Sequence, residues 1–248
     1  MIKPNCLRDR HVLADFPQFP CPKCESALLP VDKKLDCQQS AESKFHQEYV
    51  DSGPEYFVGV FSLLLRCSNR SCGEAVFCVG DFHHTEEETP DGESHYVPSI
   101  RPIFFTPTLR IFPVPKEKVP DRVAKPLLDS FSLFWSNPSA AGNSLRVAIE
   151  ALMDYRGVKK WVVTQKGNEE PMSLHSRILE FQKSKPSLAE KLLAIKWIGN
   201  GGSHLSGLGS KDMVVAYRLM EHVLDELFNR TSEDLDRIAK RINRKKKA

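Results

Sequence analysis

Two pairs of cysteines stand out among the residues able to do chemistry. Cys21-Pro22-Lys23-Cys24 and Cys67-Ser68-Asn69-Arg70-Ser71-Cys72 are each short enough for one tight turn to aim both sulfurs at a single point. Four thiolates fill a tetrahedral shell, so Cys21, Cys24, Cys67 and Cys72 are expected to hold one structural Zn2+ per chain, with no coordination position left open for catalysis. Seven cysteines in 248 residues are too few for a disulfide scaffold, and two hooks of this spacing seldom arise by chance. Cys6, Cys37 and Cys78 are left over, and Cys78 is expected to point into a hairpin. His83, His84 and His95 offer further ligands. Adjacent His83 and His84, however, face opposite sides of a strand, which argues against a second metal site.

A second segment with chemical potential is Ile195 to His204, IKWIGNGGSH, where Gly199, Gly201 and Gly202 are expected to break a helix. Asn200 and His204 then offer two polar side chains at the mouth of a helical bundle, one helical turn apart if the segment is helical. The plain alternative is a tight interhelical turn with a capping Asn and a His bonded to a neighbouring helix. A phosphate loop is disfavoured, because no strand precedes the glycines and no Gly-Lys-Ser/Thr follows.

Pro113 to Pro120, the run Ser139-Ala140-Ala141-Gly142-Asn143-Ser144-Leu145-Arg146-Val147-Ala148-Ile149-Glu150-Ala151-Leu152, Leu174 to Leu179, and Gly199-Asn200 with His204 together resemble the domain-of-unknown-function family numbered 4145. The resemblance covers about Ile111 to Arg230. That family occurs in bacterial restriction and antiphage proteins, often behind a zinc ribbon, and is related to the HEPN helical bundles. HEPN ribonucleases carry an Arg, four to six residues and a His, two chains contributing to one composite site. On that pattern His204 matches the histidine and Asn200 the polar residue after the arginine, while the arginine position falls on Gly199. Lys196 lies one turn earlier, outside the family spacing, and lacks a planar bidentate grip on phosphate. Arg146 and Glu150 match polar positions of the family's early helix, and they equally fit an ordinary i, i+4 ion pair. The resemblance further implies a homodimer, with the Lys211 to Asn229 stripe and the Gly199 to His204 turn near its two-fold interface.

These groups need elements to position them. Tyr56 to Leu65, Ala75 to Val79 and Tyr96 to Phe105 are β-branched and aromatic runs punctuated by Gly and Pro, which predicts strands. The second cysteine hook joins two of them, the arrangement of a zinc ribbon, and Pro30 to Pro54 is expected to be an inserted loop. A small β domain of this kind would have little core and take its folding energy from the metal. Three prolines between Leu109 and Pro120 predict an extended connector, so a β domain over residues 1–110, a linker over 111–120 and a helical domain over 121–248 are expected.

Helices are predicted over Asp121 to Trp135, around the Leu145, Ala148, Ile149, Leu152 stripe ending at Gly157, and over Ser173 to Lys183. Others should run from Pro186 to Gly199, from Lys211 to Asn229 with Met213, Tyr217, Met220, Leu224 and Leu227 inward, and from Ser232 to Arg244. The fold class is therefore α+β: a four-cysteine zinc ribbon with β-hairpins, then an all-α, HEPN-like bundle.

Composition sets the outer limits. A hydrophobic fraction of 41% with 27% charged residues is globular, and a net charge of +3 announces no global field for nucleic acid. The Glu86 to Glu93 acidic run and the basic end from Arg237 to Lys247 read as solvated segments. The longest apolar run, Phe57 to Leu65, is too short to span a membrane, and Met1 to Arg10 lacks the apolar region of a signal peptide, so a cytoplasmic protein is expected. The expected function is that of a bacterial defence-associated protein that binds nucleic acid or a protein partner through a non-catalytic helical domain. The alternative is a metal-independent endoribonuclease with His204 as base and Asn200, Lys196 and Arg146 positioning phosphate.

Overall fold

The computed structural model describes residues 2, 7, 10–49, 53–88, 91–114, 118–165, 167–201, 208–229 and 237–243. Two compact units divide the chain: Ile2–Ile111 with Phe131–Asn137, and Phe112–Ser130 with Pro138–Ala248. Strands dominate the first and helices the second. The connector is not a bare tether, since Ile111 is buried in the first unit while Phe112, Val114 and Val119 are buried in the second.

In the first unit β1 (His11–Val12), β2 (Phe19–Pro20), β3 (Leu28–Leu29) and β4 (Asp36–Gln39) precede α1 (Ala41–Tyr49) and the long strands β5 (Val58–Arg66), β6 (Ala75–Glu88) and β7 (Ser94–Thr106). A five-stranded antiparallel sheet has the order β1-β7-β6-β5-β4, and β2 pairs separately with β3. Side-chain alternation buries Phe61, Leu63 and Leu65 of β5, Val76, Cys78 and Phe82 of β6, and Ile100 and Phe105 of β7. Phe19 meets Phe105 and Trp135 edge-on, with ring centroids 5.3 and 5.7 Å away.

Two expectations change here. Pro30 to Pro54 is not a loop: it carries β4, registered Cys37 to Phe61 and Gln38 to Val60, and then α1. Asp-Cys-Gln-Gln has no apolar alternation, so only pairing to β5 reveals the strand. The acidic run starts within β6, where Glu86, Glu87 and Glu88 pair with Tyr96, His95 and Ser94 while Glu86 and Glu88 stay exposed. Nor is the unit poor in core, given its buried aromatic and aliphatic side chains.

The second unit holds α2 (Asp121–Leu133, its last residues counted with the first unit), α3 (Pro138–Tyr155), a small hairpin of β8 (Trp161–Val163) and β9 (Glu169–Pro171), α4 (Leu174–Gln182), α5 (Pro186–Gly201) and α6 (Ser210–Leu224). A π-turn, Asp225–Asn229, continues α6, and residues 237–243 are helical. Gly157, at φ 69°, ends α3 with a bond from its N–H to Asp154 and one from Val158 to Met153, the doubly bonded left-handed cap its position predicts. Ser173 caps α4 by accepting from the Ser176 N–H at 3.1 Å.

Leu145, Ala148, Ile149 and Leu152 of α3, Leu192 and Ile195 of α5, and Met213, Tyr217 and Met220 of α6 form the core. A buried relay ties three helices: Ser130 donates to the Ala141 carbonyl at 2.8 Å, and Tyr217 donates to the Ser130 carbonyl at 2.9 Å. The α6 stripe is buried in this unit's own core.

Candidate functional site

Two hairpin ends bring the cysteines together. The turn between β2 and β3 is closed by bonds from the Cys21 N–H to Ala27 and from the Glu25 N–H to Cys21, with Glu25 left-handed at φ 56°. The turn between β5 and β6 is closed by the Cys67 N–H on Glu74. Asn69 braces it by accepting the Ser71 N–H at 3.0 Å, and Gly73 takes φ 60°. A backbone bond from Ser68 to Leu28 and an ion pair of 3.1 Å from Lys23 to Glu74 join the two turns.

The Sγ atoms of Cys21, Cys24, Cys67 and Cys72 consequently lie within 4.8 Å of one another. Cys21 stands 3.8 Å from Cys72 and Cys24 stands 3.6 Å from Cys67. A disulfide needs about 2.05 Å. Sulfurs at about 2.3 Å from a central tetrahedral ion stand about 3.8 Å apart, so the spacing suits a metal rather than a crosslink. The donor set is four soft thiols, two of them buried. Hydrogen bonds from Ser26 bring the Cys24 thiol down to about 6, whereas burial pushes Cys67 up to about 12.

The other metal-ligand candidates are dispersed. His83 is hydrogen-bonded to Arg10, and His84 packs against Phe57 and Phe82 with centroids 5.1 and 5.3 Å away. Among the described residues, Cys78 and Cys37 are free thiols, the first fully buried and the second on edge strand β4. Cys6 lies outside the described residues.

In the helical unit the glycine segment departs from expectation. Gly199 and Asn200 do not break α5, which continues helically to Gly201. The reason is a close crossing with α3: a Cβ on Gly142 would stand 3.4 Å from the Gly199 Cα, so the two helices meet where neither has a side chain. A Cβ on Gly199 would stand 3.0 and 3.1 Å from Cδ and Cγ of Arg146 and 3.3 Å from the Gly142 carbonyl oxygen. The Arg146 stem therefore lies over Gly199, and a larger residue at 199 would have to displace it.

Arg146 is half-buried, and its Nε–H is buried with no hydrogen-bond partner. Lys196 is 8% exposed, its Nζ 3.2 Å from the centre of the Trp197 ring. No carboxylate pairs with either cation among the described residues; Glu150 is exposed and forms no ion pair with Arg146. Lys196 and Asn200 are i, i+4, and Gly199 sits between them on the same side of α5, so Arg146, Lys196 and Asn200 share one seam.

Residues 129–245 match a domain of unknown function (DUF4145). The seam of α3 and α5 lies inside this DUF4145 region, and residues 11–109, which hold all four clustered cysteines, match a second domain of unknown function (DUF8608). No curated protein and no solved structure matches the chain. Within the DUF4145 region, the structure places the Arg146 stem against Gly199, on the stretch of α5 that carries Lys196 and Asn200, while His204 lies outside the described residues.

Sequence reasoning missed the polar anchor of the same region. Buried Arg177 of α4 donates to Asp154 at 2.6 Å and to the carbonyls of Lys159 and Val158, while Lys160 meets the other Asp154 oxygen at 2.7 Å. Burial raises the Asp154 carboxyl, but bonds from Lys160 and Arg177 outweigh that and hold it below the usual carboxylate range. An arginine within an apolar helix stripe was the available signal. No helix among the described residues is long and apolar enough to cross a membrane.

Proposed function

We propose that this protein is a zinc-stabilised nucleic-acid-binding protein whose helical unit holds phosphate at the α3–α5 seam without cleaving the strand. One observation carries the reading: buried Lys196 and half-buried Arg146 lie along the α3–α5 crossing, and among the described residues no carboxylate pairs with either. A buried cation lacking an anion is costly, and an indole face offsets only part of that cost. A phosphate oxygen supplies the missing charge and an acceptor for the Arg146 Nε–H. Four soft thiols at tetrahedral spacing support zinc at the cysteine cluster, held for structure because the protein fills every position. The unbridged thiols support a reducing compartment, the cytoplasm. The resemblance of the helical region supports a place among bacterial defence proteins.

The test is binding of a labelled oligonucleotide by fluorescence anisotropy across a salt series. Binding should weaken steeply with salt. Arg146→Met and Lys196→Met, which keep the aliphatic stems, should each weaken it by roughly tenfold or more while leaving the melting temperature nearly unchanged. Absence of binding at low salt, or binding indifferent to both substitutions, would refute the reading. A ribonuclease is the second reading, favoured by the Arg146 stem lying over Gly199, where the HEPN pattern puts its arginine. Its mark would be RNA cleavage that survives a chelator and is abolished by His204→Ala.

A further inference from the structure

Trp197 of α5 is 58% exposed, comparable in the helical unit to Trp161 of β8 at 56%. Its position on α5 is specific. Asn200 lies three residues on from Trp197 and four on from Lys196, so the amide neighbours both the indole and the ammonium on one helix face. The ammonium lies on one face of the ring, and His175 of α4 meets the ring at 5.8 Å, tilted by 55°. His175 has a buried Nδ1 with no hydrogen-bond partner, and Leu179, one turn further along α4, is 42% exposed. Near the end of α5 a buried ammonium thus backs one face of an exposed indole, while Arg146 of α3 lies over Gly199 on the same stretch of α5.

We infer that Trp197 is a stacking platform for one unpaired nucleobase whose neighbouring phosphate lies on Arg146 and Lys196, so that the ligand is single-stranded. This rests on the phosphate reading above and adds what that reading leaves open, the form of the nucleic acid. In a duplex both faces of each base are already covered by its neighbours, and an indole fixed on a helix reaches only a base that has left the stack. Stacking is tolerant of base identity, because every base has a π face. A strand presents each base next to a phosphate, and here an exposed indole stands next to Lys196.

Labelled single strands of oligouridine and oligothymidine, and a blunt duplex of equal length, would be titrated against the full chain and against Trp197→Leu, Trp197→Phe and Arg146→Met. Wild type should prefer the single strands. Trp197→Leu should lose about tenfold on them with an unchanged salt slope, since no phosphate contact is removed, and Trp197→Phe should keep most of the affinity. Circular dichroism of each variant confirms that the helices are retained. Single-strand binding that survives Trp197→Leu, or a duplex bound as tightly as a single strand, would overturn the inference. If Arg146→Met weakens binding in that case, the phosphate reading stands and only the platform falls. If wild type binds none of the probes, both fall.

Discussion

The cysteine cluster and the α3–α5 seam are opposite kinds of polar site. At the first, four ligands from two hairpin ends converge on one point and leave no position open to a substrate. At the second, Arg146 and Lys196 lie along one helix crossing, and no carboxylate pairs with either among the described residues. Arg177 shows that the helical unit can satisfy a buried guanidinium, because it gives bonds to Asp154 and two carbonyls. The unmet donor of Arg146 is therefore a property of that place and not of the fold in general. On the proposed reading, closure marks a group kept for stability and the unmet donor of Arg146 a group kept for a ligand.

Removing the metal should have the largest effect. Structural zinc binding contributes on the order of 10 kcal/mol in small domains that lack other support. Here the sheet has its own core of Phe61, Leu63, Phe82, Ile100 and Phe105, so the loss should centre on the two hooks and on β2 and β3. Metal analysis should find one zinc per chain, and Cys67→Ser should release it and lower the first melting transition, with helical ellipticity largely kept. A Cys67→Ser protein that keeps a full zinc complement would dissolve the contrast between closed and open sites.

Next comes the satisfied cation. Arg177→Met should cost about 2 kcal/mol, because it leaves Asp154 with Lys160 as its one cation and takes the donor from two carbonyls. By contrast, Arg146→Met should change stability by less than about 1 kcal/mol, having no bond to lose at Nε. Chemical denaturation of both variants checks the pair of outcomes. pH sharpens it further. The folded Asp154 carboxyl is held low, so its stabilisation is fully present above the unfolded carboxylate value of about 3.9 and is lost as pH falls through the lower folded value. Below about pH 4 the gap between wild type and Arg177→Met should narrow; a gap that widens on acidification would contradict this assignment.

The closed site was legible in the sequence because covalent spacing alone brings Cys21 to Cys24 and Cys67 to Cys72, and the strands flanking the second hook alternate plainly. What spacing could not reveal was β4, whose polar residues become a strand only by pairing with β5. The open site was half legible. Arg146, Lys196 and Asn200 are identifiable by type and by resemblance, but Gly199 reads in the sequence as a helix breaker. Its use as a contact point appears only when Gly142, 57 positions earlier in the chain, is laid against it. Glycine has two uses, freedom of backbone and absence of side chain, and a sequence does not say which is in play.

That ambiguity gives the smallest and most discriminating effect, Gly199→Ala. In a helix, alanine is favoured over glycine by up to about 1 kcal/mol. Against this, the new methyl group would press on Arg146 Cγ and Cδ at 3.1 and 3.0 Å and on the Gly142 carbonyl at 3.3 Å. The arginine stem can swing aside, while the carbonyl is fixed in α3, so crowding cancels most of the propensity gain. Stability should stay within about 1 kcal/mol of wild type. Oligonucleotide affinity should nevertheless fall, because the displaced stem carries its guanidinium out of line with Lys196. Gly157→Ala is the matched control: nothing stands within 4 Å of its Cβ, but its φ of 69° is strained for alanine, so it should lose stability and keep affinity. If Gly199→Ala instead behaved like Gly157→Ala, losing stability with affinity intact, the seam would be a packing contact and the open site would lose its meaning.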